Sequence, residues 1–165
     1  MAKSAHALVL SDSHGDKKSI QKALDKFGNV DYVFHLGDYA SDAAYITEHS
    51  QAVVRSVRGN CDYIAEDPYF DEIVICGNRI VLTHGHKLNA KYSMERLYYY
   101  AQEHEAKAIL FGHTHEAMTQ FVDGIWLVNP GSVSDPRSGD RSAALLMIGE
   151  YGIVPKIVSI DAIFP

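Results

Sequence analysis

Ala7-Leu8-Val9-Leu10-Ser11-Asp12-Ser13-His14-Gly15-Asp16 runs a compact apolar stretch straight into a polar cluster. The apolar part predicts a buried strand. Asp16 is placed to cap a helix through Phe27, with Ile20, Ala23, Leu24 and Phe27 on one face and Gly28 as the stop. Tyr32-Val33-Phe34-His35-Leu36 predicts the next strand and ends at Gly37-Asp38. Ser41 or Asp42 caps a shorter helix to about His49, and residues 52–57 predict a third strand ending at Gly59-Asn60. Strand, helix, strand, helix, strand at this spacing argues for βαβ units and a mostly parallel sheet.

The pattern then changes. Residues 70–75 and 79–83 flank Gly77-Asn78, which reads as a hairpin. A helix is expected from about Ser93 to His104, with Tyr98-Tyr99-Tyr100 as a packing face. Residues 108–111 predict a strand ending at Gly112. Residues 118–122 and 125–128 pair around Asp123-Gly124, the strongest hairpin signal in the chain. A last hairpin joins residues 142–148 to 153–160 around Glu150-Tyr151-Gly152. An α/β first half therefore meets a β-rich second half with no linker between them. One domain over residues 1–165 is expected, with two packed sheets and outer helices.

Composition bounds the function. The 165 residues can bury a substantial core. A net charge of −6 without a basic block argues against a surface for duplex nucleic acid. Cys61 and Cys76 suggest neither a disulfide framework nor a structural zinc site. The segment from Met1 to His6 lacks the apolar stretch of a signal peptide, and nothing is long enough to span a bilayer. A cytoplasmic location without membrane contact is expected.

Six polar clusters carry the chemistry: Asp12-Ser13-His14, Gly37-Asp38, Gly59-Asn60, His84, Gly112-His113-Thr114-His115 and Asn129-Pro130-Gly131-Ser132. Most directly follow a predicted strand. Sites in α/β sheets form beyond the carboxyl ends of strands, so these residues can converge. Asp12 with His14, and His113 with His115, have spacing two, and an extended backbone would project each pair to one side. Carboxylates plus imidazoles suit Mn²⁺, Fe²⁺, Ni²⁺ or Zn²⁺. Asp38 can bridge two such ions, and Asn60 adds a neutral amide oxygen. An Asp or Asn after a strand is usually a turn residue or cap, so the ordered set is the signal. His6, His35, His49 and His104 read as structural or solvated, with His35 a satisfied core histidine.

These motifs resemble the calcineurin-like metallophosphoesterases, and among them the small bacterial and archaeal phosphodiesterases. The resemblance rests on Ser-Asp-Ser-His-Gly at 11–15, Leu-Gly-Asp at 36–38, Arg-Gly-Asn-Cys-Asp at 58–62, Thr-His-Gly-His at 83–86, Phe-Gly-His-Thr-His at 111–115 and Asn-Pro-Gly-Ser-Val-Ser at 129–134. It implies an α/β four-layer αββα sandwich of two mixed sheets flanked by helices. It implies that Asp12, His14, Asp38 and His115 hold one metal, and that Asp38, Asn60, His84 and His113 hold a second. It favours His84 over His86 as ligand, leaving His86 to face substrate. Two divalent ions are implied, with Mn²⁺ the first choice. The catalytic set is then Asp38, Asn60 and His86.

Many members of the wider superfamily carry histidine directly after the Asn, where this chain has Cys61. The small phosphodiesterase branch also tends to carry Cys there. Arg58, Cys61 and Arg137 are the expected substrate contacts, and Asp62 is a candidate partner for His86 or a ligand histidine. The implied activity is hydrolysis of small phosphodiesters by metal-activated hydroxide. Phosphomonoester or nucleotide hydrolysis at the same site is one alternative. Another is a non-catalytic scaffold, since a retromer subunit resembling this family uses the fold for protein interaction. Related small members form dimers or tetramers, and Tyr39, Tyr63, Tyr69 and Tyr92 are candidate interface or rim residues.

Overall fold

A computed structural model describes residues 3–163, so Met1 and Ala2 of the amino-terminal segment lie outside it. The strands are β1 (Ser4–Leu10), β2 (Tyr32–His35), β3 (Val53–Ser56), β4 (Phe70–Ile75), β5 (Asn78–Thr83), β6 (Ala108–Leu110), β7 (Met118–Val122), β8 (Ile125–Asn129), β9 (Ser142–Gly149) and β10 (Gly152–Ser159). The helices are α1 (Lys17–Phe27), α2 (Asp42–His49) and α3 (Glu95–Glu103), with one 3-10 turn at His86–Leu88. Two mixed five-stranded sheets form, ordered β10-β9-β1-β2-β3 and β4-β5-β6-β8-β7. β1, β2 and β3 pair in parallel, as do β5, β6 and β8.

Alternation along β1 explains the layering. Ala7 and Val9 face the second sheet and share a core with Phe34, Leu82, Leu110 and Val128. Leu8 and Leu10 face the other way, against Ile20, Ala23 and Leu24 of α1 and Ile46 of α2. A third core joins Val81, Ile109 and Leu127 to Leu97 and Ala101 of α3. A strand buried on both faces reads as a continuous apolar run, which is why residues 7–10 do not alternate in polarity. The result is an α/β sandwich, with helices outside both sheets, consistent with the calcineurin-like fold. No helix among the described residues is long and apolar enough to cross a membrane.

Several local expectations change. The β4–β5 turn is Cys76-Gly77, one residue before the predicted pair, with both residues at positive φ (48° and 79°). That is the type I′ geometry hairpins prefer. It frees Asn78 to enter the strand and donate its amide to Ile75 O, Cys76 O and Gly149 O. Likewise Gly152 opens β10 by pairing with Gly149, so its turn is only Glu150-Tyr151. Asp123-Gly124 forms the turn where predicted, at φ 48° and 81°. Asp16 caps α1, accepting from Ser19 N at 3.1 Å. Neither Ser41 nor Asp42 caps α2 through its side chain. The Asp42 carboxylate instead accepts from Ser13 Oγ (2.6 Å) and Gly15 N (3.0 Å), steadying the first polar loop.

Candidate metal centre

Parallel strands of both sheets deliver their carboxyl ends to one place. The loops after β1, β2 and β3 bring Asp12, His14, Asp38 and Asn60 from the first sheet, and those after β5 and β6 bring His84, His113 and His115 from the second. The predicted convergence is therefore present, but not through extended backbone. Asp12, His14, Asp38, His113 and His115 all sit at positive φ, between 47° and 71°. Side chains reach one another because each loop turns back over its strand end. Such conformations cost about 1–3 kcal/mol each and concentrate at functional sites.

Asp12, His14, Asp38 and His115 offer ligand atoms all within 4.8 Å of one another. His115 Nε2 lies 3.2 Å from Asp12 Oδ1 and 3.5 Å from His14 Nε2, and His14 Nε2 is 3.8 Å from Asp38 Oδ2. His84 Nε2 adds distances of 3.4 Å to Asp38 Oδ1, 3.8 Å to Asp12 Oδ1 and 3.0 Å to Asn60 Oδ1. The His113 ring stands edge-on to that of His84, 5.1 Å between centroids.

Three details fit this donor set to cations. Asp12 is fully buried, and its Oδ2 accepts from Ser11 Oγ and His113 N, while Oδ1 has no hydrogen-bond partner. A buried carboxylate oxygen is left unpaired only at a cost, and a cation removes it. His84 Nδ1 donates to Leu36 O and His115 Nδ1 donates to Asp135 O, each at 2.7 Å. Those bonds aim both Nε2 atoms inward and fix the tautomer a metal needs. Finally, neutral His84 Nε2 and Asn60 Oδ1 are both acceptors at 3.0 Å, a pairing that calls for a proton or cation.

The electrostatics agree. Burial would raise the Asp12 carboxyl, but the His115 imidazole close to it and the His84 charge outweigh burial and hold the group below its ordinary value. Asp38 is likewise depressed, its burial offset chiefly by His84. Burial pulls His84 down, yet Asp38 and Asp12 together raise it, and Asp12 raises His115. His113 is pushed down to about 4 by burial and then by the charges of His84 and Lys91. Both shifts favour positive charge at His84 and His115, the side of the cluster where a divalent ion would supply it.

Close packing locks the loops. A Cβ at Gly59 would stand 2.2 Å from Asp38 Oδ1 and 2.6 Å from Asp38 N. Ser132 Oγ and Ser134 Oγ both donate to Asp12 O, and Asn129 Nδ2 donates to Gly112 O and Thr114 Oγ1. The Asn-Pro-Gly-Ser cluster thus buttresses the other loops. His35 is fully buried and satisfied: Gly37 N donates to its Nδ1, and its Nε2 donates to Ser13 Oγ. Burial lowers its pKa, which keeps it neutral.

The remaining site residues disperse around the centre. The chain leaves β5 through Gly85 at φ 105° and enters the 3-10 turn at His86, so 84–86 is not extended. His84 points into the cluster, whereas the His86 ring lies 5.4 Å from His84 and 5.6 Å from Tyr69. Arg58 stacks over Tyr69 at 4.0 Å and donates to Ala65 O. Arg137 donates its backbone N–H to His115 O and lines a cavity of about 310 Å³ with Lys91, Thr114 and Met118. Cys61 N donates to Asp38 Oδ1 at 3.0 Å, and burial and then the Asp38 charge push its thiol up, keeping it neutral. Asp62 accepts from no histidine. Its Oδ1 takes Tyr39 N (2.8 Å) and Ala40 N (2.9 Å), and its Oδ2 takes Gly59 N (2.7 Å). Ser11, Ser13 and the carbonyls of Leu36 and Asp135 were not anticipated. Backbone carbonyls leave no mark in a sequence, although both serines flank Asp12.

Fold and site together define a metallophosphoesterase. Residues 6–150 match the calcineurin-like phosphoesterase superfamily domain, and the chain belongs to that family. It is 35% identical over 135 residues to the probable metallophosphoesterase YsnB of Bacillus subtilis, covering 80% of this chain and 77% of that one. A crystal structure of a predicted phosphoesterase from Streptococcus pneumoniae superposes with a TM-score of 0.83 at 31% identity, covering 99% and 94% of the two chains. Vacuolar protein sorting-associated protein 29 of Schizosaccharomyces pombe is 30% identical over 161 residues, covering 93% and 80%.

Proposed function

We propose that this chain hydrolyses small phosphodiesters with two divalent metal ions, manganese first among them. Asp12, His14, Asp38 and His115 would hold one ion, and Asp38, Asn60, His84 and His113 the other, with Asp38 shared. The observation that carries this reading is the buried, unpartnered Asp12 Oδ1 among imidazole nitrogens oriented by backbone carbonyls. When bound, such ions supply Lewis acidity, acidifying a water and offsetting phosphoryl charge.

The protein's own contribution is preorganisation. Leu36 O and Asp135 O hold the His84 and His115 rings so that their lone pairs need no reorientation. Cys61 N steadies one oxygen of Asp38. His86 stands beside His84, and Arg58 stacks on Tyr69, itself next to His86, so from that side both would meet a phosphate oxygen or the departing group. The Cys61 thiol, its pKa pushed up, is a poor general acid, which favours good leaving groups. The motif Arg58-Gly59-Asn60-Cys61-Asp62 sides with diesters, as in the small phosphodiesterase branch it resembles. The similarity to a sorting-associated protein raises a scaffold as the second reading, and the intact donor set speaks against it.

The test begins with chelator-stripped protein. Bis(p-nitrophenyl) phosphate and p-nitrophenyl phosphate are assayed with and without Mn²⁺, beside Asp38→Asn. Diester cleavage that Mn²⁺ restores and Asp38→Asn abolishes is expected. Preference for the monoester would reassign the substrate class. No turnover of either ester with Mn²⁺, Ni²⁺ or Zn²⁺ in folded protein would favour the scaffold.

A further inference from the structure

Tyr39 adopts φ 74°, a region that a bulky side chain enters only when something holds it there. The restraint is Asp62, whose Oδ1 accepts both Tyr39 N and Ala40 N, while its Oδ2 ties the same carboxylate to Gly59 N. Glycine would occupy this backbone without strain. The side chain that the strain retains is neither buried nor used in packing the core. The residue is 45% exposed, and its ring lies 5.7 Å, centroid to centroid, from the ring of His14. Tyr63 and Ile64, on the loop that carries Asp62, are 88% and 97% exposed. An aromatic face thus stands beside the candidate ligand His14, and an arrangement costly to the backbone presents it.

We propose that Tyr39 is a specificity residue that stacks against a planar aromatic group, of the nucleobase class, esterified to the phosphate at the metal centre. Asp62 is the positioning residue that holds it. The inference rests on the phosphodiesterase reading of the same site and names its substrate class. Aromatic faces bind bases without regard to sequence, so a stacking platform beside a phosphate site suits a nucleoside ester in general. Loss of one such stack weakens binding by about tenfold.

Two p-nitrophenyl esters with the same leaving group make the test, the thymidine 5′-phosphate ester and the methyl phosphate ester. Wild type should favour the thymidine ester by about tenfold in KM, with similar kcat. Tyr39→Trp should keep that preference. Tyr39→Gly should lose it while leaving thermal stability equal or higher, because the strain is gone. Asp62→Ala should lose it too. In parallel, calorimetry on Mn²⁺-loaded protein compares thymidine 5′-phosphate with methyl phosphate, a reading that needs no turnover. Equal binding of the two by wild type, or an undiminished preference in Tyr39→Gly, would overturn the proposal. Absence of turnover on both esters would sink the phosphodiesterase reading, and the binding comparison would still decide the platform.

Discussion

Gly59→Ala probes the centre without replacing any candidate ligand. The new methyl would stand 2.2 Å from Asp38 Oδ1, 2.6 Å from Asp38 N and 3.0 Å from His84 Cδ2. Real contacts of this kind begin near 3.0 Å, so the carboxylate must retreat by about 0.8 Å, and the backbone nitrogen limits how it can do so. Overpacking of this sort costs about 1–3 kcal/mol. Metal sites tolerate about 0.2 Å in ligand distance. The variant should therefore fold, melt lower and lose its response to metal. Thermal unfolding with chelator and then with Mn²⁺ reads both effects. At a hundredfold excess over Kd, metal should stabilise wild type by about 2.7 kcal/mol. For a chain of this size that is roughly 5–10 °C. Gly77→Ala is the control. Its φ of 79° also disfavours alanine, by about 1 kcal/mol, but nothing lies within 4 Å of the added methyl, and its metal shift should be intact. A wild-type metal shift in Gly59→Ala would refute the argument that Asp38 is held in place for an ion.

Metal loading should release protons. Burial lowers His84, but Asp38 and Asp12 raise it above the usual histidine value, and Asp12 raises His115. Both are protonated at low pH, so Mn²⁺ affinity should fall as pH drops through the histidine range, and a pH-stat titration should record proton release on loading. Asp16→Ala should cost about 1 kcal/mol at neutral pH. Because the Ser19 hydrogen bond holds the Asp16 carboxyl below its ordinary value, that contribution is complete above the ordinary value and disappears as pH falls through the lower folded one. Urea unfolding should show the gap between wild type and variant closing in acid. Ser13→Ala should cost about 1–3 kcal/mol, because it strands His35 Nε2 in the interior and leaves the Asp42 carboxylate with Gly15 N but without the Ser13 hydroxyl. An unchanged denaturation midpoint would show that water replaces the hydroxyl.

Much of this was legible before any coordinates. Residues 7–10, 32–36 and 108–111 are apolar runs buried on both faces, and such runs declare themselves by composition. Asp16 and Asp123-Gly124 carry chemistry that fits one local geometry, and each was found where expected. The turns at Cys76-Gly77 and Glu150-Tyr151 were displaced because strand pairing, which is non-local, claimed Asn78 and Gly152. Asp42 looked like a cap but was taken by Ser13, 29 residues earlier. The convergence of Asp12, His14, Asp38 and His115 followed from their places after strands. The means of convergence did not, since left-handed backbone at Asp and His leaves no pattern. Asp62 shows the limit plainly: its three partners are backbone N–H groups, which every residue but proline owns.

The donors are divided between the sheets, four from the β1–β3 side and three from the β5–β6 side. Ions shared across that divide would act as rivets through the central apolar layer. In chelated protein the two sheets, joined chiefly through their shared apolar layer, should open more independently, each with its own helices. In loaded protein any opening that parts them must first break ligand bonds, so amides of Val9 and Leu110 should exchange together, by a single and rarer event. The centre proposed to turn over substrate would then also decide how many pieces the protein breathes in.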